Sequence, residues 1–348
     1  MVDGPRGGRR KALAWTLFMV GLAGAGALVV VFGAGDVLDA VRRVGWGIAA
    51  VCAWRAVPLL ASTLAWRALI PARHRIRFSG LLAQRWIAES ANNLLPVAQM
   101  GGDVIRARLA HRRGVPSEHA VASVVGDVTA GLLTQVIFAF VGLALLASSG
   151  NGSGRTLLGL GAGVLLLVAM LAGFAWFQRS KLFGKLTERA RRWMGKGDSA
   201  PEERAALETA IARLYADRRA FMAACAFRLA AWILGAFEVW LVLRFMGVDA
   251  GPGEALVLES LGQVARTAGF LVPGALGVQE GGLVLLGSLT GMFPETSLAL
   301  SLVKRAREIV TGAPGLAAWQ IEEARLRRLS ARAPATEPDA RSPRPTRA

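Results

Sequence analysis

Asn92-Asn93-Leu94-Leu95-Pro96-Val97-Ala98-Gln99-Met100-Gly101-Gly102-Asp103 interrupts a chain that otherwise reads as membrane-embedded. It holds a helix-breaking proline, paired glycines, three amides and an acid. A shorter echo follows at Leu271-Val272-Pro273-Gly274-Ala275-Leu276-Gly277-Val278-Gln279-Glu280. Pro96 and Pro273 stand 177 residues apart, as do Asp103 and Glu280. The same shift lays Glu118 on Glu295, Ala122 on Ala299 and Asp127 on Lys304. One ungapped offset serving five pairs reads as an internal duplication. Broken apolar segments at matching places in two halves point to a binding site in membrane proteins built from repeats.

Working outward, the 348-residue chain is 53% hydrophobic. It carries several apolar runs of about 20 residues, the length that crosses a bilayer core. The expected fold class is an all-α polytopic membrane protein with about six transmembrane helices and two broken, re-entrant hairpins in an inverted repeat. The expected crossings are Ala12–Phe32, Trp46–Leu69, Glu118–Ala147, Thr156–Phe177, Phe221–Met246 and Ser297–Ile321. The apolar run at the N-terminus is longer than a usual signal-peptide core, so it is read as a retained span. Between the first two crossings, Asp36–Val44 reads as a short amphipathic segment.

The two hairpins occupy Leu81–Gly114 and Glu254–Phe293. Both are too polar to face lipid along their length. Non-helical backbone at membrane depth is tolerated only where protein or a watery cavity satisfies it. Shifting the fifth crossing by 177 places it on the second. The fifth crossing is the third after the second, an odd step, so the second copy is upside down.

The net charge of +17 could suggest nucleic acid, but the basic residues are distributed by side. Of the 41 Lys and Arg, 30 fall in the segments assigned to the cytoplasm, and three (Arg42, Arg43, Arg155) in the outside loops. That is the positive-inside pattern. It puts both termini in the cytoplasm and gives no nucleic-acid partner. The expected organisation is one transmembrane domain over 1–329, with repeat halves at about 34–147 and 211–324. A basic cytoplasmic loop at 178–219 contains a helix starting at Pro201-Glu202-Glu203, where proline and acids suit the first turn. An Ala-, Pro- and Arg-rich tail over 330–348 lacks the apolar content to fold.

Charges at membrane depth are costly and functional by default. Eight bases lie in or beside the apolar segments: Arg55, Arg85, Arg228, Arg244, Arg266, Lys304, Arg305 and Arg307. Arg55, Arg228 and Arg244, near span ends, are expected to pair with acids at similar depth and hold helices together, or to snorkel. Asp103, Glu280, Arg305 and Glu308 are expected to face a functional cavity. The glycines of both motifs would let backbone approach a ligand. Half-helix N-termini and arginines would attract an anionic head group.

The candidate substrate-binding set is Glu89, Asn92, Asn93, Pro96, Gly101, Gly102, Asp103, Arg106 and Asp127 in the first half. The second half adds Arg266, Pro273, Gly274, Gly277, Glu280, Arg305 and Glu308. His74, His111 and His119 read as interfacial residues. Cys52 and Cys225 have neither disulfide nor metal spacing. No Walker loop, zinc spacing or nucleophile elbow occurs, so no enzyme activity, catalytic residue, metal or cofactor is expected.

At its two motifs the chain resembles the flippase-like integral membrane proteins similar to the transmembrane region of lysylphosphatidylglycerol synthases. Pro273 to Glu280 is similar to that family's Pro-Gly-Gly-x-Gly-x-x-Glu signature. Asn92 to Pro96, with Gly101-Gly102-Asp103-x-x-Arg106, is similar to its first motif. The likeness is nearest to the hopanoid-biosynthesis-associated branch. It implies a bacterial inner-membrane protein that moves or handles a lipid. Two departures stand out. Ala275 replaces the second glycine. Asp127 is followed by Val128 where the family often has Asp-Arg, which puts an Asp127 ion pair within the motif in doubt. Only a short tail follows the last span, so the synthases' aminoacyl-transferring activity is not expected. The function expected is a lipid translocator whose partners are membrane lipids. The alternatives are a scaffold docking lipid-biosynthetic enzymes and, less favoured, an intramembrane lipid-modifying enzyme.

Overall fold

The computed structural model describes residues 34–95, 101–148, 201–269, 272 and 275–332, with four positions between 165 and 173. The expected crossings Ala12–Phe32 and Thr156–Phe177, the loop up to residue 200, and the tail beyond 332 lie outside the described residues. So do Pro96, Pro273 and Gly274. The described residues are helical throughout, with no strand among them.

The first helices are α1 (Ala34–Val44), α2 (Gly47–Trp54) and α3 (Ala56–Ala68). α1 is the amphipathic segment expected before the second crossing. α2 and α3 together form the stretch expected as the second crossing, interrupted at Arg55. Pro58 carries no N–H for the carbonyl of Trp54, and that missing bond marks the interruption. A short 3₁₀ turn, Ala72–His74, leads into the first hairpin.

That hairpin is α4 (Phe78–Leu94) and α5 (Gly101–Arg112). A Cβ on Gly102 would lie 1.9 Å from the Ala88 carbonyl oxygen, so only glycine lets the two legs approach this closely. The long apolar helix α6 (Ser117–Ser148) follows.

The second half repeats this order. α7 (Pro201–Ala216) starts where proline and two glutamates predict it. α8 (Arg218–Phe245) is capped by Asp217, whose Oδ1 accepts the Ala220 N–H at 3.0 Å. The second hairpin is α9 (Pro252–Ala268) and α10 (Val278–Leu289). At its turn Gly277 has φ +77°, a left-handed conformation suited to glycine, and Ala275 has φ +51°. The last helix, α11 (Pro294–Arg332), runs beyond the expected end of its span at Ile321.

The halves share boundaries at the 177-residue spacing. α5 and α10 start at Gly101 and Val278, α6 and α11 at Ser117 and Pro294, and α3 and α8 end at Ala68 and Phe245. They also exchange partners in packing. α4 lies along α11 while α9 lies along α6, and α1 packs on α11 while α7 packs on α6. α3 and α8 pack against each other.

Among the described residues, three stretches are long and apolar enough to cross a membrane: Gly47–Ala68, Ser117–Ser148 and Arg218–Phe245. α11 is long enough, but Lys304, Arg305, Arg307 and Glu308 make it too polar to count by composition. Apolar side chains pack at both ends of the bundle. One large cluster joins Val51, Leu143, Leu243, Leu258 and Leu298. At the other end Trp66, Ile70, Leu81, Ala110 and Val115 form a smaller one. The polar residues converge between them.

Candidate functional site

Asp127 lies fully buried on α6 and holds three arginines from three other helices. Arg85 of α4 donates from Nη1 to Oδ2 at 2.6 Å, and Arg106 of α5 donates from Nη1 to the same oxygen at 2.5 Å. Arg228 of α8 is bidentate, with Nε to Oδ1 at 2.9 Å and Nη2 to Oδ2 at 2.6 Å. Arg106 also donates from Nε to Asp103 Oδ1 at 3.0 Å and lies over the Trp66 ring, 5.0 Å from its centroid. Charge-assisted bonds of this kind are among the strongest in proteins. Val128 leaves no Asp-Arg pair between adjacent residues, as expected, and the cations that Asp127 holds come from other helices instead.

A second cluster is built on α11. Glu308 accepts from Arg266 Nη1 at 2.5 Å and from Arg305 Nη1 at 3.1 Å. Lys304 donates to Glu259 at 2.5 Å, and Arg307 lies 3.0 Å from Glu238. Arg55 pairs with Glu89 and lies 3.8 Å from Glu238. Arg55 and Arg228 pair with acids of neighbouring helices, as one of the two expected readings had it, and only their placement near span ends is corrected. α8 begins at Arg218, so Arg228 lies ten residues in, about 15 Å along the axis at 1.5 Å per residue. That depth points it at the bundle centre. Arg244 does behave as expected, pairing with Asp249 at the exposed end of α8.

The clusters face one polar cavity of about 230 Å³. Glu89, Asn92, Asn93, Asp103, Arg106, Arg266 and Glu308, all singled out in the sequence, line it. Asp127 sits directly behind Arg85, Arg106 and Arg228. The two hairpins touch here: Arg266 of α9 donates from Nη2 to Asn93 Oδ1 of α4 at 2.9 Å. Arg266 also donates to Gln279 Oε1 of α10 at 3.0 Å. At the repeat spacing Glu89 corresponds to Arg266 and Asp127 to Lys304, so matching positions carry opposite charges.

Other expected site residues do not line the cavity. Gly101 starts α5. Gly102 packs on Ala88, and its N–H donates to Asn92 Oδ1 at 2.7 Å. The close approach it permits is helix to helix, not backbone to ligand. Gly277 serves the turn before α10. Glu280 is buried, accepting the Gly277 N–H at 2.7 Å and Arg305 Nη2 at 3.1 Å. Its carboxylate thus caps a helix and anchors Arg305 instead of opening onto the cavity. Several lining residues were outside the expected set: Arg85, Arg228, Glu238, Glu259, Gln263 and Arg307. For all of them but the neutral amide Gln263, charge at membrane depth was the available signal.

Beside this cavity lies a less polar cleft of about 410 Å³, between α2–α3, α4 and α11. Arg55, Glu89, Asn93 and Arg307 belong to both walls. No group of three or more His, Cys, Asp or Glu placed to hold a metal occurs among the described residues.

The family model described as "Lysylphosphatidylglycerol synthase TM region" matches residues 17–315. The chain belongs to this family. It is also 26% identical over 314 residues to a UPF0104 membrane protein of Methanothermobacter thermautotrophicus, a match covering 83% of this chain and 89% of that one. No solved structure matches the chain. Family membership and apolar helices together make it an α-helical membrane protein of a lipid-related family.

Proposed function

We propose that this chain is a membrane lipid translocator that holds a lipid head group in the polar cavity between its two hairpins. The observation that carries the reading is the Arg266–Asn93 bond, which joins α9 and α4 at the wall of that cavity. A bundle needing only stability would gain little from so many buried charges, since desolvation offsets most of their attraction. Their concentration around one space fits a head-group site better.

The reading includes an inverted repeat with six crossings and two re-entrant hairpins. The shared helix boundaries and exchanged packing partners support it. It places the protein in a bacterial inner membrane with both termini cytoplasmic. The candidate cargo is a hopanoid or an anionic or aminoacylated phospholipid, the first following from the likeness to the hopanoid-associated branch. No catalytic step is assigned to the chain.

The test is transport in liposomes containing purified protein and a fluorescent lipid, with bilayer sidedness read by dithionite quenching. Faster exchange between leaflets than in protein-free liposomes is expected. Arg266→Met should slow it while folded protein is retained. Capture of a lipid-biosynthetic enzyme with no exchange would favour the scaffold reading instead.

A further inference from the structure

The 177-residue spacing gives the cleft between α3 and α11 a counterpart between α8 and α6. The open cleft is walled by Cys52, Ala56 and Leu59 on one side and by Val310, Thr311 and Pro314 on the other. Ala56 and Val310 are exposed on the flank of the bundle, so the cleft runs from the polar cavity to the lipid-facing surface.

At the counterpart the matching flank residues, Ile233 and Leu133, are also exposed. The space between the helices is nevertheless filled. Trp232 matches Arg55, Thr134 matches Thr311 and Phe138 matches Gly315. Trp232 Nε1 donates to Thr134 Oγ1 at 3.2 Å, and its ring stacks on Phe138 with centroids 6.3 Å apart and planes 14° apart. Trp232 thus stands where the open side has a guanidinium, while Phe138 stands at a position that, as Gly315, is covered by Ser90 and Trp86 of α4. Trp232 also lines the polar cavity, so it separates that cavity from the α6–α8 seam.

We propose that the α3–α11 cleft holds a hydrocarbon chain of the lipid whose head group enters the polar cavity, and that Trp232 plugs the repeat-related second portal between α8 and α6. This rests on the translocator reading and on the inverted repeat. The occupant follows from continuity. A polar space and a less polar cleft share Arg55, Glu89, Asn93 and Arg307, and only an amphiphile fills both at once. The Arg55–Glu89 pair forms the threshold between them. Trp232 closes the mirrored path by apolar packing rather than by charge, so its removal leaves no buried ion unpaired.

The test uses full-length protein in phosphatidylcholine nanodiscs and a membrane-permeant maleimide. In a Cys225→Ser background Cys52 is the remaining thiol. It should react, and dodecyl phosphate should slow the reaction several-fold while inorganic phosphate does not. No protection by dodecyl phosphate, or equal protection by both, overturns the chain site. In a background lacking both native cysteines, Thr134→Cys should react slowly with Trp232 present. Adding Trp232→Ala should speed it several-fold, whereas Trp232→Phe, which keeps a ring against Phe138, should not. Equal reactivity in all three overturns the plug. The liposome assay separates this inference from the function it rests on. Absent lipid exchange with Cys52 still protected sinks translocation and leaves the chain site standing. Normal exchange with no protection does the reverse.

Discussion

Arg266 and Asn93 are 173 positions apart in sequence and meet at 2.9 Å, donor to acceptor, at the wall of the central cavity. Removing the acceptor leaves a guanidinium that still holds Glu308 and Gln279. Asn93→Ala should therefore cost about 1–2 kcal/mol, in the lower range for a bond to a charged group. A double-mutant cycle with Arg266→Lys, read by thermal unfolding in detergent, should show coupling between the sites. Additive effects would mean that the bond does not hold the hairpins together.

Asp127 and Asp103 differ in what depends on them. Asp127 is fully buried and shared by three arginines, so Asp127→Asn strands an excess of buried positive charge. A loss of roughly 3–5 kcal/mol is expected, as for a broken buried ion pair. Asp103 is partly exposed and, among the described residues, its ion pair is with Arg106, which keeps Asp127 as a partner. Asp103→Asn should cost about 1 kcal/mol or less. Yield of monodisperse protein and melting temperature check both, and equal loss would contradict the ordering.

Gly102 and Gly281 should respond oppositely to alanine. At Gly102 the added Cβ would meet the Ala88 carbonyl oxygen of the facing helix, which cannot move alone. Gly102→Ala should splay the α4–α5 hairpin and destabilise by more than about 2 kcal/mol. At Gly281 nothing lies within 4 Å of the added atom, and alanine is the better helix former by about 1 kcal/mol. Gly281→Ala should be neutral or stabilising.

Ala275 occupies the left-handed backbone region at φ +51° and is wholly buried. The family motif has glycine here, and the turn geometry gives the reason. Ala275→Gly should relieve roughly 1 kcal/mol of steric cost, part of it offset by the freer unfolded chain. A small rise in melting temperature is the expected result. A fall would show that the buried methyl matters more than the backbone.

Glu280→Gln keeps an oxygen for the Gly277 N–H but gives up the ionic contact with Arg305. Glu280→Ala loses both. Alanine should therefore be the more destabilising by about 1 kcal/mol, the usual worth of a capping interaction. Hydrogen exchange at the start of α10 would separate the two variants.

How much of this was legible depended on which physical signal each residue carries. Proline, glycine and amide clusters mark backbone interruptions, so both hairpins and their echo could be read directly. Ion-pair partners could not. Asp127 takes Arg85 from 42 positions before it and Arg228 from 101 after it, and no local pattern encodes such pairing. α8 is apolar nearly all round, so its periodicity does not reveal that Arg228 and Glu238 point inward. The glycines misled in an instructive way. Gly102 signals close backbone approach, but sequence does not say whether helix or ligand does the approaching.

Pro58 has one more effect on the crossing it divides. Ordinarily, bending a helix in a bilayer means tearing an amide from its carbonyl where no water can replace it. At Trp54 the amide was never there, so tilting α3 against α2 at that level strains one hydrogen bond fewer, although the Leu59 N–H still donates to the Arg55 carbonyl across the joint. Arg55 sits at this joint. Through its pair with Glu89 it ties the joint to α4 at the wall shared by the cavity and the cleft.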